Sequence, residues 1–122
     1  MGARFGYLGT AVTIQVRQAG SGTILDLNGV LRNGQPVKLF ADTLQQVRAA
    51  GTKNLAINLA AVPDMDSSGV GALVRAHTTA RNAQGKCRFS SPSPAVAKEL
   101  KIVRLDSVFE MADNEAAALA GF

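Results

Sequence analysis

The stretch DMDSSG, residues 64 to 69, gathers several reactive side chains where an apolar run gives way to an amphipathic one. The Asp66 carboxylate precedes two hydroxyls, Ser67 and Ser68, and Gly69 follows them. These residue types are compatible with four kinds of chemistry: a helix cap, a serine nucleophile, a phosphate-binding turn, or a serine that is itself modified.

A serine nucleophile needs a base within reach and a third group that orients the base. The G-x-S-x-G pattern of hydrolases is absent, because Asp64 and Met65 stand where the leading glycine would be needed. The only histidine, His77, lies on the same predicted helix, about ten residues and roughly 15 Å beyond Ser67. No catalytic residue is therefore expected, and the sequence does not predict an enzyme.

Phosphate-binding loops and metal sites are also poorly supported. Gly69 and Gly71 lie close together, but no G-x-x-x-x-G-K-[ST] pattern accompanies them. The chain has one histidine and one cysteine, His77 and Cys87, which are too few for a site rich in these ligands. We therefore expect neither a cofactor nor a metal ion, and interpret both residues as packing residues.

Two interpretations of the junction remain open. Either Ser67 or Asp66 caps a helix, which contributes about 1 kcal/mol. Alternatively, a serine at the helix start accepts a phosphate, which the free amides and the helix dipole would stabilise. Met65 beside it is either an exposed apolar contact or a buried residue.

Length and composition predict one domain over residues 1–122, large enough to bury a core. Hydrophobic residues make up 47% and aromatic residues 5%, so that core is aliphatic. The net charge of +4 comes from scattered basic residues, and we expect no direct binding of nucleic acid. Because neither a membrane-spanning run nor an apolar signal core is present, we expect a cytoplasmic protein without membrane contact.

Hydrophobic periodicity gives the order β-β-α-β-α-β-α-α. Strands are predicted at 12–17, 23–28, 55–59 and 86–89, with a short one added at 108–109; helices are predicted at 36–50, 67–84, 94–103 and 114–119. The apolar face of the second helix is predicted to consist of Val70, Leu73, Val74 and His77. This pattern predicts an α/β fold, with a mixed sheet covered by helices.

The segment from residue 55 to 119 resembles the STAS domain of bacterial anti-sigma factor antagonists. It reads LAINLAAVPDMDSSGVGALVRAHTTARNAQGKCRFSSPSPAVAKELKIVRLDSVFEMADNEAAAL. The matching features are the apolar strand with Asn58-Leu59, the D-S-S-G-x-G-x-L block at 66–73, and the SPxV helix start at 93–96. The resemblance covers roughly residues 10 to 120. It implies the STAS fold, a four- to five-stranded mixed sheet with helices mainly on one face.

The resemblance also implies a regulator of transcription that switches partners. In such proteins the unphosphorylated antagonist binds an anti-sigma factor with serine kinase activity, which phosphorylates the serine after the aspartate; a serine phosphatase reverses this. Carried over, the acceptor is Ser67, with Ser68 as the alternative, and the partner-binding residues are Asp66, Ser67, Ser68, Gly69 and Met65. The alternative function is a STAS scaffold or accessory subunit of a signalling or lipid-transport complex.

One position departs from the family pattern. Many members carry an acid after G-x-L in the second strand, whereas this chain reads Gly29-Val30-Leu31-Arg32. The family fold implies that this loop lies near Ser67, which adds Arg32 to the expected partner-binding residues. A guanidinium there would pair with a phosphate on Ser67 through charge-assisted hydrogen bonds.

Overall fold

The computed structural model describes the backbone of residues 2–6 and the whole of residues 12–122. The strands are β1 (Gly2–Gly6), β2 (Thr13–Ala19), β3 (Gly22–Asn28), β4 (Asn54–Ala61), β5 (Cys87–Ser90) and β6 (Glu110–Ala112). The helices are α1 (Gln35–Ala49), α2 (Ser67–Asn82), α3 (Pro94–Ile102) and α4 (Glu115–Leu119), with a 3-10 turn at Leu105–Ser107.

The strands form one mixed sheet in the order β1-β2-β3-β4-β5-β6. The β1-β2 and β2-β3 pairs are antiparallel, and the remaining pairs are parallel. The predicted α/β mixed sheet is thus confirmed, with five strands from residue 13 onward. β1 adds a sixth strand where the sequence shows no clear alternation. The short strand predicted at 108–109 is placed about two residues too early, since the structure has β6 at Glu110–Ala112. Val108 is exposed and Phe109 packs in the core, and both precede this strand.

The main core lies between the sheet and helices α1, α2 and α3, so the helices are mainly on one face as predicted. Its members are mostly aliphatic, and Phe40 and Phe89 are its largest fully buried side chains. The aliphatic members include Leu25, Leu27, Ile57 and Leu59 from the central strands, Leu44 from α1, Leu73 from α2 and Leu100 from α3. Local signals start the later helices: Ser93 caps α3 ahead of Pro94, and Asn114, rather than Asp113, caps α4. Capping and burial therefore agree on the architecture.

Helix α4 covers the other face of the sheet and is held there by charges as well as apolar contacts. A small cluster of Ile24, Ala56 and Ala118 forms its apolar contact. Arg17 binds Asp26 in a bidentate pair at 2.6 and 2.9 Å and also pairs with Glu115 of α4. These contacts tie the C-terminal helix to the antiparallel end of the sheet.

The buried face of α2 includes Val70 and Leu73 as predicted, but it differs from the prediction in excluding Val74 and in including small residues. Val74 is 37% exposed, while Ala76 and Ala80 are buried. The helix packs against the sheet through small side chains, which turns Val74 toward solvent. The ring of His77 packs 5.5 Å from that of Phe109, in keeping with its predicted packing role. Cys87 is buried, which raises the pKa of its thiol to about 12 and leaves it protonated.

Candidate functional site

The D-S-S-G junction lies between the end of β4 and the start of α2, and it is joined to a second loop. That loop, residues 29–34, connects β3 to α1. The Leu31 amide donates to the Asp64 carbonyl at 3.2 Å, and the Asp66 amide donates to the Leu31 carbonyl at 3.3 Å. A short parallel bridge between Leu31 and Met65 thus continues the pairing of the strands that precede them. The two loops therefore form one surface.

Asp66 is the N-cap of α2, and its carboxylate also holds the second loop. One oxygen, Oδ1, accepts from the Gly69 amide at 2.9 Å, as a capping side chain does. The other, Oδ2, accepts from the Asn33 amide at 3.0 Å. The choice left open between Asp66 and Ser67 is decided: Asp66 caps the helix, and Ser67 is its first residue.

Both oxygens of Asp66 accept hydrogen bonds that favour the ionised form. The Asn33 amide and then the Gly69 amide lower the pKa of this carboxyl below its ordinary value, although the group is exposed. Asp66 is therefore negatively charged at neutral pH. A fixed charge stands directly beside Ser67.

Ser67 and Ser68 have different surroundings. Ser67 is exposed at the first position of α2, and within residues 12–122 its hydroxyl makes no hydrogen bond. Ser68 is half-buried and lines a hollow between α1 and α2, together with Val37 and Arg75. Ser67 is consequently the more accessible of the two hydroxyls to another protein.

Gly69, which the resemblance placed among the partner-binding residues, is buried and is needed for packing within the chain. A Cβ at Gly69 would lie 2.2 Å from the Leu31 carbonyl oxygen and 2.9 Å from the Met65 Cβ. Among the described residues, a Cβ at Gly71 would meet no atom of another element within 4 Å, so the open space lies there instead. The loop of residues 29–34 occupies the space beside Gly69.

Of the two alternatives left open for Met65, the buried residue is the correct one, and Met65 does not offer the exposed apolar contact expected of a partner-binding residue. It is 5% exposed and belongs to the main core. The reason is its bridge to Leu31, itself 1% exposed, which places the two side chains in the same apolar layer. Asp66, Ser67 and Ser68 remain as the accessible part of the predicted set, and Arg32 is exposed next to them.

Comparison with known proteins identifies the family. The family model of the STAS domain matches residues 13–118. The chain belongs to the STAS domain family. No curated protein sequence gives a significant match to this STAS domain.

Several solved structures share the fold of this STAS domain. A putative anti-sigma factor antagonist from Thermotoga maritima has a TM-score of 0.80 at 21% identity, covering 85% of this chain and 89% of that one. The anti-sigma factor antagonist SpoIIAA in its unphosphorylated form has a TM-score of 0.66 at 20% identity, with 84% and 90% covered. SpoIIAA from Bacillus in its phosphorylated form has a TM-score of 0.68 at 20% identity, with 87% and 96% covered.

Some features of the site in this STAS domain are not readable from side-chain types. The amide of Asn33 and the carbonyl of Leu31 hold the two loops together, and every residue except proline carries both of these backbone groups. Arg32 lies between them, and within residues 12–122 it forms no ion pair. In the sequence, the departure from the family pattern at Arg32 was the signal that this loop lies near Ser67.

Two further findings concern the chemistry of this STAS domain. In the parts of the chain that the structure describes, no helix combines the length and apolar character needed to cross a bilayer. In those same parts, no three His, Cys, Asp or Glu side chains are grouped so that they could hold a metal ion.

Proposed function

We propose that this STAS domain is a non-enzymatic anti-sigma factor antagonist that regulates transcription by partner switching. In its unphosphorylated form it binds an anti-sigma factor with serine kinase activity. Phosphorylation of Ser67 releases that partner, and a serine phosphatase restores binding. The observation that carries this proposal is the exposed Ser67 hydroxyl at the first position of α2, beside the ionised Asp66; the hydroxyl makes no hydrogen bond within residues 12–122.

The position of Ser67 favours modification without unfolding. Because its hydroxyl makes no hydrogen bond among the described residues, a phosphate there breaks no contact of the fold. The first amides of a helix and its dipole stabilise an added anion. The backbone at this point is held by Asp66, which contacts Gly69 and Asn33 whether or not Ser67 is modified.

The same position explains why a phosphate would dissociate a partner. A phosphoserine adds about −1.5 to −2 charges at neutral pH. That charge would stand next to the Asp66 carboxylate in a surface that a bound partner covers. Binding would have to remove water from both negative charges at once, and this desolvation opposes binding. The fold neighbour SpoIIAA, described in a phosphorylated form, makes this mode of regulation a reasonable one to test.

Phosphorylation of the intact chain tests the proposal. The protein is incubated with ATP, Mg²⁺ and each anti-sigma serine kinase purified from the organism that makes it, and phosphopeptides are mapped by mass spectrometry. Ser67→Ala and Ser68→Ala are the matched controls. We expect phosphate on Ser67 in the wild type and in Ser68→Ala, and none on this segment in Ser67→Ala.

Two outcomes would change the conclusion. Phosphate on Ser68 alone would move the acceptor by one residue, into the hollow between α1 and α2. Phosphate on neither serine, together with no binding of any of the kinases, would contradict the switch. The scaffold or accessory role in a signalling or lipid-transport complex would then be preferred.

A further inference from the structure

A groove between α1 and α2 begins beside the Ser67 site and runs along both helices. It consists of two adjoining hollows, of about 260 and 460 Å³, that share Ala41 and Arg75. We call it the α1–α2 groove and define it by the following residues: Val37, Ala41 and Arg48 on α1, and Ser68, Gly71, Arg75 and Thr79 on α2. Its near end is at Ser68 and its far end is at Arg48.

The size of the groove suits a segment of polypeptide. Along α2 it extends from Ser68 to Thr79, which is about 16 Å at the rise of an α-helix. The space beside Gly71 is open, since a Cβ built there would meet no atom of another described element within 4 Å. The glycine adds no side chain that would fill this space. About three turns of a partner helix fit this length.

The charge of the groove indicates what kind of segment it accepts. Arg75 borders both hollows and Arg48 borders the far one, and within residues 12–122 neither forms an ion pair. The carboxylate that lines the groove, Asp42, is bound to Lys38 at 3.3 Å. Two guanidinium groups thus border the groove without an ion-pair partner among the described side chains, and a complementary occupant carries carboxylates.

The groove is continuous with the Ser67 site through two residues. Ser68 lines its near end and is the direct neighbour of Ser67. Asn33 lines the same end and donates its amide to Asp66. Arg32 precedes Asn33 in the same loop and is exposed. A protein that covers Ser67 is therefore positioned to extend into the groove.

We infer that the α1–α2 groove binds an acidic segment of the same protein partner that covers Ser67. This inference rests on the proposed function and adds the chemistry of the partner. Carboxylates of the segment contact Arg75 and Arg48, and the end of the segment passes Ser67. A phosphate on Ser67 then meets negative charges of the partner as well as Asp66, which makes the switch a direct electrostatic repulsion.

Charge reversal in the groove tests the inference on the partner. The variants are Arg75→Glu, Arg48→Glu and the double variant, and Arg81→Glu is the control. Arg81 lies in the last turn of α2, as Arg48 lies in the last turn of α1, so both reversals lose the same interaction with a helix dipole. Arg81 borders a different hollow, next to Cys87. Binding to the anti-sigma kinases is measured by calorimetry, with Ser67→Asp alongside.

A second probe does not depend on any kinase. A synthetic amphipathic peptide of about 15 residues, built from Leu and Glu, is titrated into the ¹⁵N-labelled protein, with a Leu and Lys peptide as its counterpart. We expect the acidic peptide to shift the amide signals of Gly71, Arg75 and Thr79, and the double variant to abolish these shifts.

For the kinase, we expect the double variant to weaken binding about tenfold or more and Arg81→Glu to leave it nearly unchanged.

The failures of the two proposals are distinguishable. If Ser67→Asp weakens kinase binding while the double variant binds like the wild type, the groove inference is wrong and the proposed function stands. If no kinase binds but the acidic peptide occupies the groove, the proposed function fails and acidic occupancy is upheld. Equal shifts from the basic peptide, no shifts from the acidic one, or shifts of the same amides on self-association would each overturn the inference.

Discussion

Asp66 and Ser67 are neighbours with separate tasks. The carboxylate of Asp66 binds the amides of Gly69 and Asn33, so it stabilises both the helix start and the adjoining loop. The Ser67 hydroxyl contributes no such contact among the described residues. Structure and proposed regulation are thus assigned to different side chains, and they can be tested separately.

The first prediction concerns substitutions of Ser67. Since Ser67 is not the cap, Ser67→Ala should change the free energy of unfolding by less than about 0.5 kcal/mol and keep partner binding. Ser67→Asp should fold equally well, because an acid is favourable in the first turn of a helix. It should bind the anti-sigma kinase more weakly, because its charge adds to that of Asp66. Chemical denaturation and binding titrations on the same samples measure both effects.

The capping role of Asp66 supplies the control for this prediction. Asp66→Ala should lose about 1 kcal/mol of stability, the ordinary cost of removing an N-cap. A loss of that size in Ser67→Ala instead would show that the serine is the cap. Wild-type affinity in Ser67→Asp would contradict the electrostatic switch.

The second prediction concerns Arg32. The loop that carries it is held against the junction by the contacts of Leu31 and Asn33, and its guanidinium forms no ion pair within residues 12–122. We expect it to bind a phosphate on Ser67 and to raise the thermal midpoint of the phosphorylated protein. Phosphorylation should raise this midpoint less in Arg32→Ala. Equal shifts in both proteins would exclude the contact.

At the scale of elements, the start of α2 carries two glycines with different environments. Gly69 faces the loop of residues 29–34 at a distance that leaves no room for a methyl group. Gly71, two residues later, faces the open groove. The atoms that surround each glycine, and not its position in the helix, decide whether an added side chain would stabilise or destabilise the protein.

The third prediction is an opposite response to alanine at these two positions. Gly69→Ala should destabilise the protein by about 1–3 kcal/mol, because the new Cβ overlaps the Leu31 carbonyl oxygen and forces the loops apart. Gly71→Ala should stabilise it by up to about 1 kcal/mol, since alanine is the better helix former and finds free space. Thermal or urea unfolding of the two variants gives the comparison. Equal effects would contradict the close loop contact.

At the scale of the whole molecule, α1, α2 and α3 pack on one face of the sheet and form the main core, while α4 packs on the opposite face. The contacts that hold α4 are partly ionic: Arg17 binds both Asp26 and Glu115, and Asn58 donates to Asp26 at 2.7 Å. Burial raises the pKa of Asp26, but the hydrogen bonds from Arg17 and Asn58 outweigh it and lower the pKa below the ordinary value. Asp26 is thus ionised in the folded state.

The fourth prediction is a pH dependence of stability that arises from Asp26. Because its pKa is lower in the folded than in the unfolded chain, its contribution is complete above about pH 4 and is lost as the pH falls through the folded value. Asp26→Asn should be less stable than the wild type at pH 7 by about 1 kcal/mol. The difference should shrink in acid, and denaturation curves between neutral and acidic pH measure it. A constant difference would contradict the role of the charge.

Much of the architecture followed from local patterns. Alternation at Leu55, Ile57 and Leu59 predicted β4, and Ser93 before Pro94 predicted the start of α3. Such signals act between residues close in sequence, through side-chain period and through hydrogen bonds to nearby amides. The same applies to the site in outline, since the D-S-S-G block and its position at a helix start were both readable.

The tertiary structure decided what depends on residues that are distant in the chain. The loop of residues 29–34 meets the junction about thirty residues later, and this contact selects Asp66 as a double acceptor, buries Met65 and leaves no room at Gly69. Packing of α2 turned Val74 to solvent, and the meeting of α1 with α2 created the groove. These features arise from backbone groups and from the spacing between packed elements, and neither has a signature in the types of residues along the sequence.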